Sequence, residues 1–426
     1  MKNTCYKNLI CPECHSFLQP NHDHLSCSKC NTVFPIVSGI PCFTKGESAW
    51  QFHVSDSSER LIEIAIKHGW RTSLSEMSKT KGDWVEGKKR FPLSCISSPK
   101  GRVLDAGCGW GGLSFWLTHE FSEVYALDSQ LDGLQFIDVR SSQEDVENIF
   151  AVQGNLLSLP FQDGFFDLVL LNGVLEWVGT FSAEHSAVKL QEIALRETAR
   201  VLRSEGVLYI AIENRFGLQY FMGYREEHTG LRFISLLPRR LADKYHKYRR
   251  GTEFRAWTHS YRSLAGMLRR CGFSKTKAFF AFPSYRNCKY AASLEGAHAL
   301  SFLFQKVLSN RGTLPRKIAR VGISAISRVP LIIRALSLFS PSWIVFASQT
   351  QAPQFALKGN EKILLLEANQ NFTLAITASD RRLNIFVMDD LSGRFKGKYS
   401  VPLSEMAGKK LEMSHAILDL IHKQRP

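Results

Sequence analysis

The sequence predicts an α/β protein built on a Rossmann-like, doubly wound sheet of seven strands, with a small cysteine-rich unit before it and a small α+β extension after it. Three observations support this class. Short apolar runs alternate with longer amphipathic ones from residue 101 onward, a glycine-rich segment follows the first of these runs, and four cysteines form two close pairs near the N-terminus. The alternation is typical of parallel strands covered by helices on both faces.

The composition is that of a globular protein, and its charge is uneven. The chain has 426 residues, of which 44% are hydrophobic and 22% charged, which is enough for two or three domains. Residues 215–348 hold 24 lysines and arginines against 5 acidic residues, and so account for the net charge of +15. Such a region attracts phosphate-bearing partners, whether nucleic acid, an anionic lipid surface or a phosphorylated small molecule.

We expect a cytoplasmic protein without a secretory signal or a membrane span. No charged stub followed by an apolar stretch and a small-residue cleavage site opens the chain. The most apolar stretch, residues 329–348, is interrupted by Pro330, Arg334 and Pro341, whereas a membrane span needs about 20 mostly apolar residues.

The N-terminal cysteines predict a structural zinc site within residues 1–46. Cys11, Cys14, Cys27 and Cys30 form two Cys-x-x-Cys pairs with twelve residues between them. Four thiolates suit tetrahedral zinc and leave no position for a reacting water. Disulfides are the alternative, but nothing directs the chain to an oxidising compartment. The nearby side chains expected to stay outside the site are those of Cys5, Cys42, His15, His22 and His24.

This segment also resembles a known class of small proteins. The run LICPECHSFLQPNHDHLSCSKCNTVFPIVSGIPCF is similar to the zinc-ribbon proteins that activate several methyltransferases, particularly in its FPIVSGIP tail. The resemblance implies an activator-like ribbon fused to the enzyme that it serves.

Seven short apolar runs are the predicted strands of a central domain over residues 100–349. They lie at 102–105, 124–128, 150–152, 167–171, 206–212, 276–282 and 343–348. The segment AVKLQEIALRETARVLRSEG has apolar residues at helical spacing, which predicts a helix that ends at Gly206. Residues 47–99 are expected to be a helical lead-in.

The glycine-rich segment RVLDAGCGWGG predicts a binding site for a nucleotide-like cofactor. Gly107, Gly109 and Gly111 stand between a strand and a helix, where they let a ligand approach bare backbone at the positive end of the helix. Asp128 ends the next strand, 23 residues after Asp105. A carboxylate in that position can accept hydrogen bonds from ribose hydroxyls.

The spacing of these residues distinguishes the site from that of dinucleotide-binding dehydrogenases. DAGCGWGG places an acid two residues before the first glycine, whereas the dinucleotide fingerprint is G-x-G-x-x-G. It resembles motif I of the class I S-adenosylmethionine (SAM) methyltransferases, and the resemblance covers about residues 101–348. It implies that Asp105 and the three glycines hold the methionine part of SAM and that Asp128 holds the ribose.

Two later segments match the same family. Asn155 and Leu156, in VQGNLLSLPF, match the segment that flanks adenine, although an aspartate is commoner than Asn155 there. Asn172 and Glu176, in FDLVLLNGVLEWVG, are expected to face the cofactor cleft. Alternatively, Asn172 caps the following helix and Glu176 is a solvated helix residue.

A long basic insertion, residues 213–260, is expected to form a lid over the substrate, because segments after the carboxyl ends of parallel strands lie over the ligand crevice. The Asn-Pro-Pro-Tyr motif of amine-directed family members is absent after the fourth strand. A hydroxyl acceptor needs at most a nearby base, for which Glu213, His228 and His259 are the candidates. Alternatively, Glu213 pairs with an arginine and both histidines are surface residues.

The sequence of the lid narrows the choice of methyl acceptor. IENRFGLQYFMG followed by EEHTG resembles methyltransferases of bacterial surface-polysaccharide and glycolipid pathways, which implies a phosphate-bearing glycan or glycolipid intermediate.

The competing function is RNA methylation, because a zinc ribbon before a SAM domain also resembles ribosomal RNA guanine methyltransferases. Four aromatic residues of the lid could stack on bases: Tyr245, Tyr248, Phe254 and Trp257. A third alternative, a non-catalytic SAM-fold partner, is opposed by the intact glycine loop.

The last two segments carry no recognised motif. A second basic insertion, residues 284–342, predicts a helical subdomain at the sheet edge or, alternatively, an interfacial helix in peripheral contact with an anionic membrane. Residues 350–426 form the predicted C-terminal extension, with strands at KILLLEA, FTLAITA and LNIFVMDD and a helix from about Ser404.

Overall fold

In the computed structural model of the protein, part of the chain is described. The described residues are 6–44, 58–86, 101–180, 185–286, 288, 290–294, 335–350, 356–357, 364–368, 372–378, 382–389, 395–402 and 411–412. The α-helices are α1 Ser58–His68, α2 Trp70–Ser75, α3 Lys79–Val85, α4 Gly112–Leu117, α5 Leu131–Gln143, α6 Ala187–Val201, α7 Leu218–Phe221, α8 Arg239–Arg250 and α9 Tyr261–Arg270.

The β-strands form two main sheets. The first nine strands are β1 Leu18–Pro20, β2 His24–Cys27, β3 Val33–Val37, β4 Ile40–Pro41, β5 Arg102–Ala106, β6 Glu123–Asp128, β7 Ile149–Gln153, β8 Phe166–Asn172 and β9 Leu202–Glu213. The others are β10 Lys275–Phe282, β11 Tyr290–Ser293, β12 Ser342–Ser348, β13 Ala356–Leu357, β14 Leu364–Ala368, β15 Phe372–Ala378, β16 Arg382–Asp389, β17 Phe395–Pro402 and β18 Leu411–Glu412.

The seven predicted strands of the central sheet are confirmed. Their order is β7-β6-β5-β8-β9-β12-β10, and β12 is antiparallel to both of its neighbours while the other six strands run the same way. The carboxyl ends of β5, β6, β8 and β9 therefore meet at one edge of the sheet, which is where ligands bind in such folds.

The helix that follows β8 ends earlier than predicted. α6 stops at Val201, and β9 starts at Leu202, so Gly206 lies inside a strand. The buried Leu202 pairs with Phe166 of β8, and the register between the two strands then shifts, which leaves a bulge around Gly206. Burial of Leu202 in the strand therefore favours strand pairing over a further turn of α6.

The C-terminal strands continue the central sheet. β11 pairs with β10, and β14 pairs in parallel with β11 before β15, β16 and β17 follow as an antiparallel meander. Three of these strands agree with the sequence prediction, which misses β11 and β17. The predicted final helix lies outside the described residues except at Leu411–Glu412, which form a strand instead. Most of the predicted helical subdomain also lies outside them.

The N-terminal sheet, β1-β2-β3-β4, is antiparallel and packs against the central domain. This sheet and its loops, residues 6–44, are called the ribbon below. Cys42 forms a parallel bridge to Gln153 at the edge of β7, and the Phe43 N–H donates to the Gln153 carbonyl at 2.9 Å. Leu9, Leu25 and Phe34 belong to the same buried apolar cluster as residues of the central sheet. The ribbon therefore covers the edge strand of the larger sheet.

Within the described residues, no helix has the length and the apolar composition needed to cross a bilayer.

Candidate active site

The glycine loop connects β5 to α4 with three residues in the left-handed region. Gly107, Gly109 and Gly111 have φ of 79°, 54° and 79°. A Cβ at Gly107 would lie 2.5 Å from the Val174 side chain, and one at Gly111 would lie 2.5 Å from that of Ile137, whereas one at Gly109 would meet nothing within 4 Å. Gly109 is thus where bare backbone faces open space, which fits the close approach of a cofactor.

Asp105 fastens this loop to the sheet. Its carboxylate is buried and accepts a hydrogen bond of 2.6 Å from the Ser114 hydroxyl, which joins the end of β5 to α4. Burial raises the pKa of Asp105 to about 6, and the neighbouring negative charge of Asp128 adds to the rise.

Asp128, at the end of β6, lies beside the same loop. Its Oδ2 accepts the Gly109 N–H at 2.8 Å, and its Oδ1 accepts the Gln130 N–H at 3.0 Å. Burial raises the pKa of this carboxyl group. Ser129 also hydrogen-bonds this carboxylate, which lies where the hydroxyls of a ribose could bind.

The predicted adenine-flanking segment is supported by the ribbon. Asn155 uses Oδ1 to accept the Leu157 N–H at 2.8 Å, and Leu156 is buried. Four residues further along, the Pro160 carbonyl accepts the Ile10 N–H at 3.1 Å. The ribbon is therefore hydrogen-bonded to the segment expected to hold adenine.

Asn172 ends β8 and lies near a tyrosine that the sequence did not indicate. Its Oδ1 is 3.5 Å from the Tyr209 hydroxyl. Next to it, a Cβ at Gly173 would collide with the hydroxyl of the buried Tyr285, which follows β10. Tyr285 stands outside every recognised motif, and only the fold brings it beside Gly173.

Three predicted site residues meet in one buried cluster. Glu176 lies on the 3₁₀ helix Leu175–Thr180 after β8, Glu213 ends β9, and His228 lies in the lid. His228 Nε2 is 3.8 Å from Glu176 Oε1 and 3.9 Å from Glu213 Oε2. Glu176 was expected to face the cofactor; its carboxylate is fully buried in this cluster.

Two charged residues missed in the sequence complete the cluster. Glu226 contacts His228 Nδ1 through Oε1, while its Oε2 accepts the Thr229 N–H and hydroxyl, both at 2.8 Å. Arg286 pairs with Glu213 Oε1 at 2.8 Å. The segment EEHTG contains Glu226, but no spacing rule singled it out.

Burial and the mutual charges shift the pKa values in opposite directions. Burial, with the charge of Glu176, raises the pKa of Glu213 to about 7. Burial alone would lower the pKa of His228, but the surrounding carboxylates, above all Glu226, raise it well above its ordinary value. Burial would also raise the pKa of Glu226, but His228 and the Thr229 hydrogen bonds lower it.

His259, the third candidate base, is held in the fold by hydrogen bonds at both ring nitrogens. Its Nε2 lies 2.7 Å from the Gln191 side-chain oxygen, and its Nδ1 lies 3.0 Å from the Ser263 hydroxyl. Burial lowers its pKa to about 3, and the charges of Arg215 and Arg270 add to this effect. Both ring nitrogens are used within the fold, so the geometry does not support His259 as a base.

Of the four lid aromatic residues considered for stacking on bases, Tyr248 alone is exposed. Phe254 is buried, and the Arg239 guanidinium lies over its ring at 4.6 Å and over the Trp257 ring at 4.2 Å. Tyr245 packs on the same cluster, whereas Tyr248 is 84% exposed. The exposed basic residues of α8 include Arg240, Lys244, Lys247 and Arg249.

The four predicted zinc ligands come together in the ribbon. The sulfur of Cys11 lies 3.5 Å from that of Cys30, and the sulfur of Cys14 lies 3.4 Å from that of Cys27. All four sulfurs lie within 4.8 Å of one another. Sulfurs bound to one tetrahedral zinc are about 3.8 Å apart, so the donor set fits that ion.

Comparisons with known proteins agree with this geometry. Residues 104–210 match a family model described as a methyltransferase domain. The chain is 34% identical to an uncharacterized protein of Methanocaldococcus jannaschii over 116 residues. The matched segment covers 27% of this chain and 42% of that protein. It is 29% identical over 175 residues to the demethylmenaquinone methyltransferase of Lactiplantibacillus plantarum, covering 40% of this chain and 69% of that enzyme.

One solved structure contains a methyltransferase with a separate activator. It is the complex of the Haloferax volcanii Trm112 methyltransferase activator with a methyltransferase, at 14% identity and a TM-score of 0.36, covering 66% of this chain and 95% of that chain. Residues 104–210 therefore resemble a methyltransferase domain, and they lie within an α/β fold with a seven-stranded, mostly parallel central sheet.

Proposed function

We propose that the protein is a SAM-dependent methyltransferase that methylates a hydroxyl group of a phosphate-bearing glycan or glycolipid intermediate. The observation that carries the proposal is the position of the buried acid cluster relative to the glycine loop. Val174, which contacts Gly107, stands two residues before Glu176. Because Val174 and Glu176 join the loop to the cluster, we take the loop as the cofactor side of the site and the cluster as its acceptor side.

On the cofactor side, Gly109 and Asp128 would hold SAM through backbone and ribose contacts. When bound, SAM supplies a methyl group on a positively charged sulfur. The chain's own contribution is to fix the distance between that methyl group and the acceptor and to exclude water, because orientation alone lowers the barrier by several kcal/mol.

On the acceptor side, Glu213 and His228 would bind the hydroxyl through carboxylate and imidazole groups. The hydroxyl would receive the methyl group that SAM supplies, and the Glu213 carboxylate, whose pKa is raised to about 7, would accept the hydroxyl proton. His259 has no part in this proposal.

The basic lid supports a phosphate-bearing acceptor. The exposed basic side chains of α8 can contact phosphates. Of the four aromatic residues that could stack on bases, Tyr248 alone is strongly exposed. Phe221, Tyr224 and Phe233 of the lid are exposed as well, so the experiment below measures RNA as the competing acceptor.

The experiment is transfer of labelled methyl groups from SAM, by the purified full-length protein, into two fractions of the same cells: cell-envelope glycan and total RNA. We expect label in the envelope fraction. Label confined to RNA, with binding that weakens about 10³-fold or more between 50 and 200 mM salt, would favour the competing function instead.

A further inference from the structure

The acid cluster has the composition and the geometry of a metal site. Glu176, Glu213 and His228 each offer one donor atom, and the three atoms lie within 4.8 Å of one another. They come from three separate elements: the 3₁₀ helix after β8, the end of β9, and the lid. The site would therefore form only when the lid is folded onto the sheet.

The donor atoms that face one another have no hydrogen-bond partner. Both carboxylate oxygens of Glu176, Glu213 Oε2 and His228 Nε2 are buried and unpaired. The side chains of Glu176 and His228 are 0% and 1% exposed. A buried carboxylate without a partner costs several kcal/mol, so such a group needs a cation or a proton.

The surrounding charges leave a negative excess. Glu213 is paired with Arg286, and Glu226 is in contact with His228. The carboxylate of Glu176 has neither a guanidinium nor an ammonium partner among the described residues. With His228 neutral, as a metal-binding imidazole must be, Glu176, Glu213 and Glu226 against Arg286 leave two negative charges, which one divalent cation balances.

The second nitrogen of His228 is held as metal-binding histidines usually are. In most metal sites the other ring nitrogen of the histidine donates to a carboxylate, which fixes the tautomer and the ring orientation. Here Nδ1 faces Glu226, and Glu226 is in turn held by the Thr229 N–H and hydroxyl. This arrangement directs Nε2 toward Glu176 and Glu213.

We propose that Glu176, Glu213 and His228 bind one divalent transition-metal ion that accepts imidazole and carboxylate ligands together, namely Mn²⁺. Donor atoms bound to such an ion at about 2.1 Å lie about 3.0 to 3.4 Å apart, so His228 Nε2, at 3.8 and 3.9 Å from the two carboxylate oxygens, must approach each of them by roughly 1 Å or less. Three protein ligands leave positions open for an oxygen of the acceptor.

The role of this ion rests on the proposed function. An acceptor hydroxyl bound to the ion loses its proton more readily, as metal-bound water does. The proton then passes to the Glu176 oxygen that is not bound to the ion.

The test is a titration of Mn²⁺ into the full-length, zinc-loaded protein, followed by calorimetry and by the paramagnetic resonance signal of free Mn²⁺. We expect one Mn²⁺ per chain. Replacement Glu176→Gln or His228→Gln should weaken binding at least 100-fold, and Glu226→Gln should weaken it 10- to 100-fold. Glu227→Gln is the matched control, because Glu227 lies in the same loop but contacts the Tyr220 hydroxyl, and it should change binding no more than a few-fold.

Circular dichroism and the thermal midpoint show whether each variant is folded. No Mn²⁺ binding to the wild type, or equal binding to a folded Glu176→Gln variant, would overturn the site. Methyl transfer into the envelope fraction that is equally fast with and without Mn²⁺ would overturn its role. A protein that binds Mn²⁺ as described but labels only RNA supports the site and contradicts the proposed acceptor.

Discussion

At the scale of single residues, Gly109 is where the loop differs from an ordinary tight turn. It combines a φ of 54° with open space beyond its Cα. Replacement Gly109→Ala costs about 1–2 kcal/mol in backbone strain and places a methyl group where the cofactor is proposed to lie. We expect SAM affinity to fall at least tenfold, measured by calorimetry.

Gly164 supplies the control for this prediction. Gly164 has a φ of 62°, and a Cβ built there would meet nothing within 4 Å. It precedes the amino end of β8 and so lies at the sheet edge opposite to the one that holds Gly109. Gly164→Ala should lower the thermal midpoint by a similar amount and leave SAM affinity unchanged. An equal loss of affinity in both variants would mean that strain, not contact with the cofactor, is the cause.

His259 makes stability depend on pH. Its folded pKa is about 3, below the ordinary value of about 6.5, so between these values the unfolded chain binds the extra proton. Stability is therefore full above pH 7 and is lost as the pH falls, by about 2 kcal/mol between pH 7 and 5. Urea unfolding of His259→Gln at several pH values should show a shallower dependence than the wild type.

The exposed His68 provides the comparison, since His68→Gln should keep the wild-type dependence on pH. Slopes are compared rather than absolute stabilities, because His259→Gln also alters the hydrogen bonds to Gln191 and Ser263. A wild-type slope in His259→Gln would show that other buried groups cause the acid sensitivity.

The residues of the candidate site differ in how far the sequence alone predicts them. Asp105 and the three glycines follow from local spacing, because a strand, a loop and a helix fix them within eight residues. Glu213 and His228 are predicted one at a time, and their meeting with Glu176 depends on how the lid folds back. Glu226, Tyr285 and Arg286 acquire their positions only from tertiary contacts, which no period or spacing encodes.

At the scale of elements, strands with strong apolar runs are predictable and their ends are not. β5, β6 and β8 are nearly fully buried, so their runs are continuous. The predicted end of α6 is wrong because Gly206 allows a bulge as readily as it ends a helix. β11 escapes prediction because Tyr290–Ser293 is a short segment inside a long basic insertion.

The lead-in helices are fastened to the central domain by Arg140 of α5. Its guanidinium donates to the Val85 carbonyl at 2.8 Å and lies over the rings of Trp70 and Phe115 at 3.9 and 3.8 Å. α3 in turn covers the glycine loop, where a Cβ at Gly112 would collide with the Trp84 carbonyl.

We expect Arg140→Met to lower the free energy of unfolding by about 2–3 kcal/mol, because a charged hydrogen bond and two cation–π contacts are lost. SAM affinity should fall as well, as α3 loosens over the loop. Arg71→Met is matched to it: Arg71 lies over the same Trp70 ring at 4.4 Å, but its side chain is 68% exposed. Chemical denaturation should show a loss below about 1 kcal/mol for this control.

At the scale of the whole molecule, the ribbon and the central domain share one apolar core. Leu9, Leu25 and Phe34 pack in the same cluster as Leu127 and Phe161. Two folding units joined in this way should unfold together. The segment proposed to hold adenine is distant from the ribbon in sequence, but the Ser158 hydroxyl donates a hydrogen bond to the Pro12 carbonyl of the ribbon. Loss of the ribbon should therefore disturb that segment.

We therefore expect Cys27→Ser to lose the bound zinc, to lower the thermal midpoint of the whole protein in a single transition, and to weaken SAM binding. The reason is that ion coordination supplies about 10–16 kcal/mol to a unit too small to fold alone. Cys42→Ser is the matched control, since Cys42 is buried in the ribbon but stands outside the four-sulfur group. Elemental analysis should find one zinc per chain in the wild type and in Cys42→Ser, and none in Cys27→Ser. Two separate unfolding transitions, or unchanged SAM affinity in the zinc-free variant, would show that the ribbon is an independent unit that only lies beside the catalytic domain.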